Sequence, residues 1–224
     1  MIDWSDIRTV LLDMDGTLLD LHYDNHFWLT HLPLRYAEIR GLPAEEARSE
    51  VLSIVQAEKG SLNWYCLDYW SERLGFDVGA LKHEVSDRIA FRADAPEFLR
   101  ALKHSHCRTL IVTNAHETGL DLKLAHTGLD RWVDGILTSH QFGLPKERPD
   151  FWAALHRHEP FDPQQTLLVD DNTAAIRSAD DFGIRHLLAI RSPDSLEPTR
   201  TITDWPAVDR FREILPIQAP VAVQ

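Results

Sequence analysis

The feature that most constrains this chain is an apolar run that ends in two carboxylates one residue apart. Residues 9–17 read Thr-Val-Leu-Leu-Asp-Met-Asp-Gly-Thr, and the apolar part is typical of a buried strand. Side chains two residues apart on an extended backbone point the same way, so Asp13 and Asp15 can face one site. Crowded acids need a cation or a shared proton. Because open α/β sheets place ligands at the carboxyl edge, the segment predicts a site there.

Further apolar runs are typical of buried strands, and helical patterns separate the later ones. The expected strands span residues 10–13, 109–113, 135–138, 166–170 and 186–190. Helices are predicted over residues 95–104, 117–127, 149–158 and 173–182. This alternation predicts an α/β fold with a mostly parallel sheet that is covered on both faces.

The interval from residue 18 to residue 92 interrupts that alternation. Its patterns predict only helices, over residues 25–40, 43–59, 62–74 and 78–91, with Gly and Pro between them. We therefore expect an all-helical insertion after the first strand. Its hinges are expected near residues 18–21 and 91–94.

Charge and composition exclude several classes of partner. The chain has 224 residues with 23 basic and 35 acidic side chains, a formal net charge of -12. This surplus of acid argues against a nucleic-acid or anionic-membrane surface, although a metal ion and one lysine can still attract a small anionic substrate. No apolar stretch approaches ~18 residues and no signal peptide is evident. We expect a cytoplasmic protein in which Cys66 and Cys107 are free thiols.

Three later segments also place polar side chains at the ends of apolar runs. Residues 110–114 end in Thr113 and Asn114, which can either contact a substrate or cap the next helix. Lys146 lies in a proline-containing loop, where the alternatives are a solvated surface lysine or the same role for Arg148. Residues 167–172 end in a second pair of acids followed by an asparagine.

In this order, the four segments resemble the motifs of the haloacid dehalogenase-like hydrolase superfamily. The resemblance implies a Rossmann-like catalytic core formed by residues 1–17 and 93–216. It implies a helical cap domain over residues 18–92, which leaves residues 217–224 as a C-terminal tail.

The resemblance also implies roles for the core residues. Asp13 would be the nucleophile that forms an aspartyl-phosphate, and Asp15 would be the general acid–base. Thr113 and Lys146 would bind the transferring phosphoryl group, and Asn114 would hold the nucleophile loop and contact substrate. Superfamily members that cleave carbon–halogen bonds lack an acid at the position of Asp15, which favours phosphoryl transfer over dehalogenation.

The acids would bind Mg²⁺, which prefers hard oxygen ligands. The expected ligands are Asp13, the backbone carbonyl of Asp15, and Asp171 or Asp170. We expect Asp171 to bind directly, and Asp170 to act through a water or to position Lys146. Capping of the following helix by Asp171 or Asn172 can coexist with this role.

The insertion is dense in aromatic residues that alternate with polar ones. Packing explains most of them, but an aromatic wall beside amides and carboxylates also suits a flat heterocycle. The aromatic residues are Tyr23, Phe27, Trp28, Trp64, Tyr65, Tyr69 and Trp70. Asn25, Asn63 and Asp68 are the candidates for substrate contact.

Over residues 7–215 the chain resembles the bacterial GMP/IMP nucleotidases of this superfamily. The segments that carry this resemblance are residues 11–20, 21–28, 62–70, 126–130 and 182–186. It implies Mg²⁺-dependent hydrolysis of purine nucleoside 5′-monophosphates. The alternatives are a sugar-phosphate phosphatase or phosphomutase with the same core, and a catalytically silent binding protein on this fold.

The twelve histidines include two close pairs, His104 with His106 and His156 with His158. Each pair lies near an expected helix end without a third ligand at suitable spacing, so we predict no structural zinc site from them. His116 follows Asn114 closely and could touch substrate, but its expected position is the exposed first turn of a helix.

Overall fold

Six parallel strands form the central sheet of the computed structural model, which describes residues 2–217. The strands are β1 (Thr9–Leu12), β2 (Arg108–Thr113), β3 (Gly135–Thr138), β4 (Thr166–Asp170), β5 (His186–Ile190) and β6 (Ala207–Val208). Their order is β3-β2-β1-β4-β5-β6, so β1 lies between β2 and β4. The predicted α/β fold with a parallel sheet is confirmed. The two-residue strand β6 was not predicted, because it is too short to give a periodic pattern.

Nine α-helices surround this sheet or precede β2 in the described part of the chain. They are α1 (His22–His26), α2 (Leu32–Arg40), α3 (Ala44–Ala57), α4 (Leu67–Leu74), α5 (Val78–His83), α6 (Ala95–Lys103), α7 (Glu117–Thr127), α8 (Pro149–His158) and α9 (Thr173–Phe182). A π-helical turn over Phe27–His31 joins α1 to α2. None of these helices is long and apolar enough to cross a membrane.

The side chains of β1 alternate between two hydrophobic clusters, one on each face of the sheet. Val10 and Leu12 pack in the cluster that contains the apolar face of α6. Leu11 packs in the other cluster, with apolar residues of α8 and α9. Because both faces are covered, every residue of β1 is buried, and the strand sequence is continuously apolar rather than alternating.

The insertion, residues 18–92, has a hydrophobic cluster of its own. Phe27 and Trp70 are fully buried there, together with apolar residues of α2 to α5. Packing therefore accounts for several of its aromatic residues. The division of the chain at residues 17 and 93 stays a prediction. The predicted tail over residues 217–224 lies outside the described residues except for residue 217.

Two of the helices expected in the insertion are wrong in extent. Residues 62–74 form a short 3₁₀ helix, Leu62–Tyr65, that ends at Cys66 before α4 begins. Residues 78–91 are helical only to His83, apart from a 3₁₀ turn over Ser86–Arg88. The last part is extended because Phe91 pairs with Leu19, which joins the two ends of the insertion at the expected hinges. Backbone pairing between distant segments leaves no periodic signal in either of them.

Candidate active site

Lys146 lies at the centre of the site, where the carboxyl ends of β1, β2 and β4 meet. Its Nζ donates hydrogen bonds to Asp13 Oδ1 at 2.6 Å, to Asp170 Oδ2 at 2.7 Å and to the carbonyl oxygen of Val112 at 3.0 Å. The residue is only 2% exposed, so the alternative of a solvated surface lysine is wrong. Arg148, the other basic residue of this loop, instead pairs with the exposed carboxylate of Asp150.

The loop that carries Lys146 is held by the end of β2. The backbone N–H of Lys146 donates to Asn114 Oδ1 at 3.0 Å, and Asn114 Nδ2 donates to Glu147 Oε2 at 3.0 Å. Thr113 Oγ1 accepts from the backbone N–H of Ala115. Helix α7 begins after these residues and has no side-chain cap, so the capping alternative for Thr113 and Asn114 is wrong.

Asp171 brings a third carboxylate to the site from the end of β4. Asp13, Asp170 and Asp171 each offer an oxygen atom, and these atoms lie within 4.8 Å of one another. Asp13 Oδ2 is buried and has no hydrogen-bond partner among the described residues. Arg200 contacts Asp171 Oδ2 at 3.0 Å from the rim of the site. Three carboxylates around one buried lysine leave excess negative charge, and their hard oxygens fit a divalent cation such as Mg²⁺.

Burial sets the protonation of these carboxyl groups. It raises the pKa of Asp13 from 3.8 to about 7, although Lys146 acts in the opposite direction. It likewise raises the pKa of Asp171 to about 7, with Asp13 adding to the effect and Arg200 opposing it. Ionising these groups inside the protein is therefore unfavourable without a cation. This is the second observation that fits a metal at the site.

Asp15 belongs to a chain of buried charges that the sequence did not indicate. Lys123 Nζ lies 2.7 Å from Asp15 Oδ1 and 2.7 Å from Asp24 Oδ2, and Lys82 Nζ lies 2.6 Å from Asp24 Oδ1. We call Asp15, Lys123, Asp24 and Lys82 the ion chain. Asp24 and Lys82 come from the insertion, so the ion chain joins it to α7.

The pKa values of the two acids in the ion chain shift in opposite directions. Burial raises the pKa of Asp15, although the Lys123 ammonium opposes it. Burial would raise the pKa of Asp24 too, but contact with both Lys123 and Lys82 holds it well below its usual range. Asp24 is therefore an anion that fixes Lys123, whereas Asp15 is a carboxyl that can carry a proton.

A cavity of about 410 Å³ opens between the sheet edge and the insertion. Its lining includes Asp13 and Asp15 on the core side, and Trp28, Trp64 and Tyr65 of the insertion. Cavities of roughly 300–1,000 Å³ are typical of small-molecule sites. The predicted site residues Thr113, Asn114, Lys146, Asp170 and Asp171 also line it.

The three candidate contacts from the insertion are placed differently. Asn25 lines the cavity, and its Nδ2 donates to Asp194 Oδ2 at 2.7 Å. Asn63 lies outside the lining and donates to Glu58 Oε2 at 3.3 Å. Asp68 also lies outside the lining, and its side chain is 84% exposed.

Glu147 is another residue that sequence analysis missed. Its Oε1 accepts from Tyr65 Oη at 2.5 Å and from Asn172 Nδ2 at 2.8 Å, while Asn172 Oδ1 caps α9 by accepting from Ala174. Its position next to Lys146 is the one signal that could have indicated it. For Lys123 no local signal exists, because in the sequence it looks like any other polar residue of a helix.

Comparisons with known proteins agree with this geometry. Residues 7–183 match the family model described as haloacid dehalogenase-like hydrolase. The chain is 41% identical over 215 residues to GMP/IMP nucleotidase YrfG of Escherichia coli (strain K12), covering 96% of this chain and 97% of that protein, and the Shigella flexneri protein of the same name gives the same values.

Among solved structures, a HAD phosphatase from Thermococcus onnurineus superposes with a TM-score of 0.77 at 20% identity. The match covers 93% of this chain and 96% of that one, and it shows that the fold is shared. The family match spans well over half of the chain and includes every strand except β5 and β6. The chain therefore belongs to the haloacid dehalogenase-like hydrolase family.

Proposed function

We propose that this hydrolase is a Mg²⁺-dependent phosphomonoesterase that acts on purine nucleoside 5′-monophosphates such as GMP and IMP. The observation that carries the proposal is the Asp13 carboxylate, which Lys146 holds by Oδ1 at the bottom of the cavity. Its other oxygen, Oδ2, has no partner among the described residues. A fixed carboxylate with one available oxygen is suited to nucleophilic attack on phosphorus.

The two carboxylates of the first motif divide the reaction between them. Asp13 attacks the phosphorus, the ester bond breaks, and the leaving oxygen takes a proton from Asp15. The resulting aspartyl-phosphate is hydrolysed by a water whose proton returns to Asp15, which releases phosphate and restores Asp13. Because burial raises the pKa of Asp15, this group can hold the proton that the first step requires.

Thr113 and Lys146 are proposed to hold the phosphoryl group. The Thr113 hydroxyl oxygen accepts from Ala115, so its own hydrogen is free to donate to a phosphoryl oxygen. The Lys146 ammonium offsets negative charge on Asp13 and on the transferring group. Asn114 is proposed to position Lys146, because its side chain hydrogen-bonds to the backbone N–H of Lys146 and to the carboxylate of Glu147.

Asp13, Asp171 and the backbone carbonyl of Asp15 are proposed to hold Mg²⁺, which when bound neutralises charge on the phosphoryl oxygens. Both oxygens of Asp170 are already engaged, Oδ2 by Lys146 and Oδ1 by the backbone N–H of Asn172. Asp171 is therefore the better direct ligand, and Asp170 is left to position Lys146 or to bind through a water.

The purine assignment rests on the nucleotidase relatives and on the upper part of the cavity. Trp28, Trp64 and Tyr65 supply aromatic surface on which a flat base can stack. Asn25 is the proposed polar contact within the lining. We also propose Asn63 and Asp68 as substrate contacts, although both lie outside the lining. These contacts require the insertion, which we propose is a cap domain over residues 18–92, to move toward the substrate.

The test is phosphate release from a panel of nucleoside monophosphates and sugar phosphates, with Mg²⁺ and with EDTA. We expect metal-dependent release that is fastest with GMP and IMP. Fastest release from a sugar phosphate would retain the mechanism and reject the purine assignment. Absence of metal-dependent release from every phosphomonoester would reject the proposed activity.

A further inference from the structure

Cys66, His116 and His140 form a second group of potential metal ligands, and His116 lines the cavity. Cys66 lies directly before α4, His116 directly before α7, and His140 in the 3₁₀ turn Ser139–Phe142 that follows β3. The thiol sulfur and one ring nitrogen of each histidine all lie within 4.8 Å of one another. Three separate segments of the chain therefore converge on one point.

Two of these atoms are buried without a hydrogen bond. His116 Nδ1 and His140 Nε2 are both shielded from solvent, and neither has a partner among the described residues. The two rings pack edge to face with centroids 5.0 Å apart. Buried ring nitrogens normally find a partner, because an unpaired one keeps its desolvation penalty. An unpaired nitrogen in each of the two rings that meet the Cys66 thiol is consistent with a missing common partner.

His116 and Cys66 also make contacts outside the cluster, of the kind that hold metal ligands in place. His116 Nε2 lies 3.6 Å from Oδ2 of Asp68, a carboxylate at the protein surface. Cys66 Sγ accepts from the backbone N–H of Tyr69 at 3.4 Å. A carboxylate behind a histidine and an N–H on a sulfur both fix ligands and tune their basicity.

We propose that Cys66, His116 and His140 bind one borderline-soft divalent cation of the Zn²⁺ class, with Asp68 orienting His116. Thiolate sulfur and imidazole nitrogen are both typical donors for such ions, and a water can complete a tetrahedron around three protein ligands. Zinc bonds of about 2.3 Å to sulfur and about 2.0 Å to nitrogen place the donor atoms about 3.5 Å apart.

The donor set separates this site from the proposed Mg²⁺ site. Asp13, Asp170 and Asp171 offer hard oxygens, whereas the new site offers sulfur and nitrogen. A cation there would also link Cys66 of the insertion to His116 and His140 of the core. This inference does not depend on the proposed function.

The test uses Co²⁺ as the probe, in the presence of excess Mg²⁺ to saturate the carboxylate site. Thiolate coordination gives a sulfur-to-cobalt charge-transfer absorption in the near ultraviolet, which Zn²⁺ should abolish by displacement. We expect the band at a stoichiometry of one Co²⁺ per chain. Cys66→Ser should lose it, and the matched control Cys107→Ser should keep it. Absence of the band in the natural protein, or its persistence in Cys66→Ser, would overturn the proposal.

The histidines are tested by affinity. His140→Ala should weaken Co²⁺ binding by at least about tenfold. The control His104→Ala, at an exposed histidine, should leave it unchanged. Equal affinity in both variants would remove His140 from the site.

A measurement on the natural protein covers the case in which Cys66→Ser does not fold. One equivalent of Zn²⁺ should slow alkylation of Cys66 by iodoacetamide at least about tenfold, as read by peptide mass spectrometry. Unchanged alkylation of Cys66 at saturating Zn²⁺ would overturn the proposal. Cys107, which is buried elsewhere, serves as the internal reference.

Discussion

At the scale of single residues, two lysines determine what the carboxylates of the site can do. Lys146 touches Asp13 and Asp170, and Lys123 touches Asp15. Burial would lower the pKa of each lysine, but contact with the carboxylates raises it above its usual value, so both stay charged. Asp13 and Asp15, the two proposed catalytic carboxylates, thus have separate cationic partners, which suits the separate roles proposed for them.

The first prediction concerns Asp13→Asn. We expect kcat to fall by more than about 10³-fold, because the amide cannot act as the nucleophile. Near neutral pH, the thermal midpoint of metal-free Asp13→Asn should be no lower than that of the natural protein. The substitution removes a buried carboxylate charge, and Lys146 still has Asp170 as an ion-pair partner. Steady-state kinetics and circular dichroism melting measure the two effects.

Asp150→Asn is the control for Asp13→Asn, because its carboxylate is exposed and distant in the sequence from the first motif. It should retain full activity. Turnover by Asp13→Asn within tenfold of the natural protein would contradict the assignment of the nucleophile.

The second prediction concerns Lys123→Met, which tests Lys123 as a positioning residue. Loss of the ammonium removes the influence that lowers the pKa of Asp15, so that pKa should rise. We expect kcat to fall by roughly 10–100-fold and the limb of the pH profile due to Asp15 to move to higher pH. Asp24 keeps Lys82 as a partner, which limits the loss of stability.

The exposed Lys103→Met is the matched control, and its pH profile should equal that of the natural protein. A profile for Lys123→Met that keeps its shape and loses only amplitude would show that Lys123 acts on structure and not on Asp15.

At the scale of elements, the turn after β1 is shaped by its contact with the end of β4. Gly16 has a φ of +86°, which favours glycine. A Cβ atom at Gly16 would lie 2.7 Å from Asp171 Cγ, closer than van der Waals contact allows. The first motif therefore needs this glycine both for the turn and for the approach of the proposed metal ligand.

The third prediction compares Gly16→Ala with Gly60→Ala. Both positions have positive φ, +86° and +88°, but a Cβ at Gly60 would have no neighbour within 4 Å. Each variant should lose about 1 kcal/mol of unfolding free energy from the backbone. Gly16→Ala alone should lose more than that and should weaken Mg²⁺ binding, because Asp171 is displaced.

Denaturant unfolding and Mg²⁺ titration measure these two quantities. Equal stability losses and equal Mg²⁺ affinities in the two variants would show that Asp171 moves aside without consequence.

At the scale of the whole molecule, the site lies between the sheet edge and the insertion, and polar contacts join the two. Tyr65 of the insertion donates to Glu147, and Asp24 contacts Lys123 of α7. Displacement of the insertion would therefore change the surroundings of Lys146 and Asp15 together. Folding brings the carboxyl groups of Asp13, Asp170 and Asp171 together at this junction. The stability of the molecule therefore depends on whether protons or a cation neutralise their charge.

The fourth prediction concerns the pH dependence of stability without metal. The pKa values of Asp13 and Asp171 rise from 3.8 to about 7 on folding, so the folded chain holds protons that the unfolded chain has released. The contribution of these groups to stability is present below about pH 4 and is lost as the pH rises to about 7. Bound Mg²⁺ replaces these protons, so its stabilising effect should grow over the same range.

Thermal midpoints with and without Mg²⁺ at about pH 5 and about pH 8 measure this dependence. Mg²⁺ should raise the midpoint more at the higher pH, and Asp171→Asn should reduce the difference. A Mg²⁺ effect that shrinks with rising pH would contradict the fourth prediction.

The sequence by itself determined five of the six strands, all except β6, and the residues at the carboxyl edge of the sheet. Continuous apolar runs such as residues 9–12 specify strands that are buried on both faces, and the residues that end them are placed by chain geometry alone. Asp13, Thr113 and Asp170 could therefore be located at one edge before any coordinates were known. These are local signals, since strand and turn preferences act over a few neighbouring residues.

Only the tertiary structure decided which side chains pair across that edge. Lys123 meets Asp24 across 99 residues, and His116 and His140 meet Cys66 from separate segments. Phe91 is extended because it pairs with Leu19, against its helical pattern. Such contacts depend on packing between distant segments, which leaves no periodic trace along the chain. Local preferences therefore specify the elements, and the partners of buried charges follow only from how those elements pack.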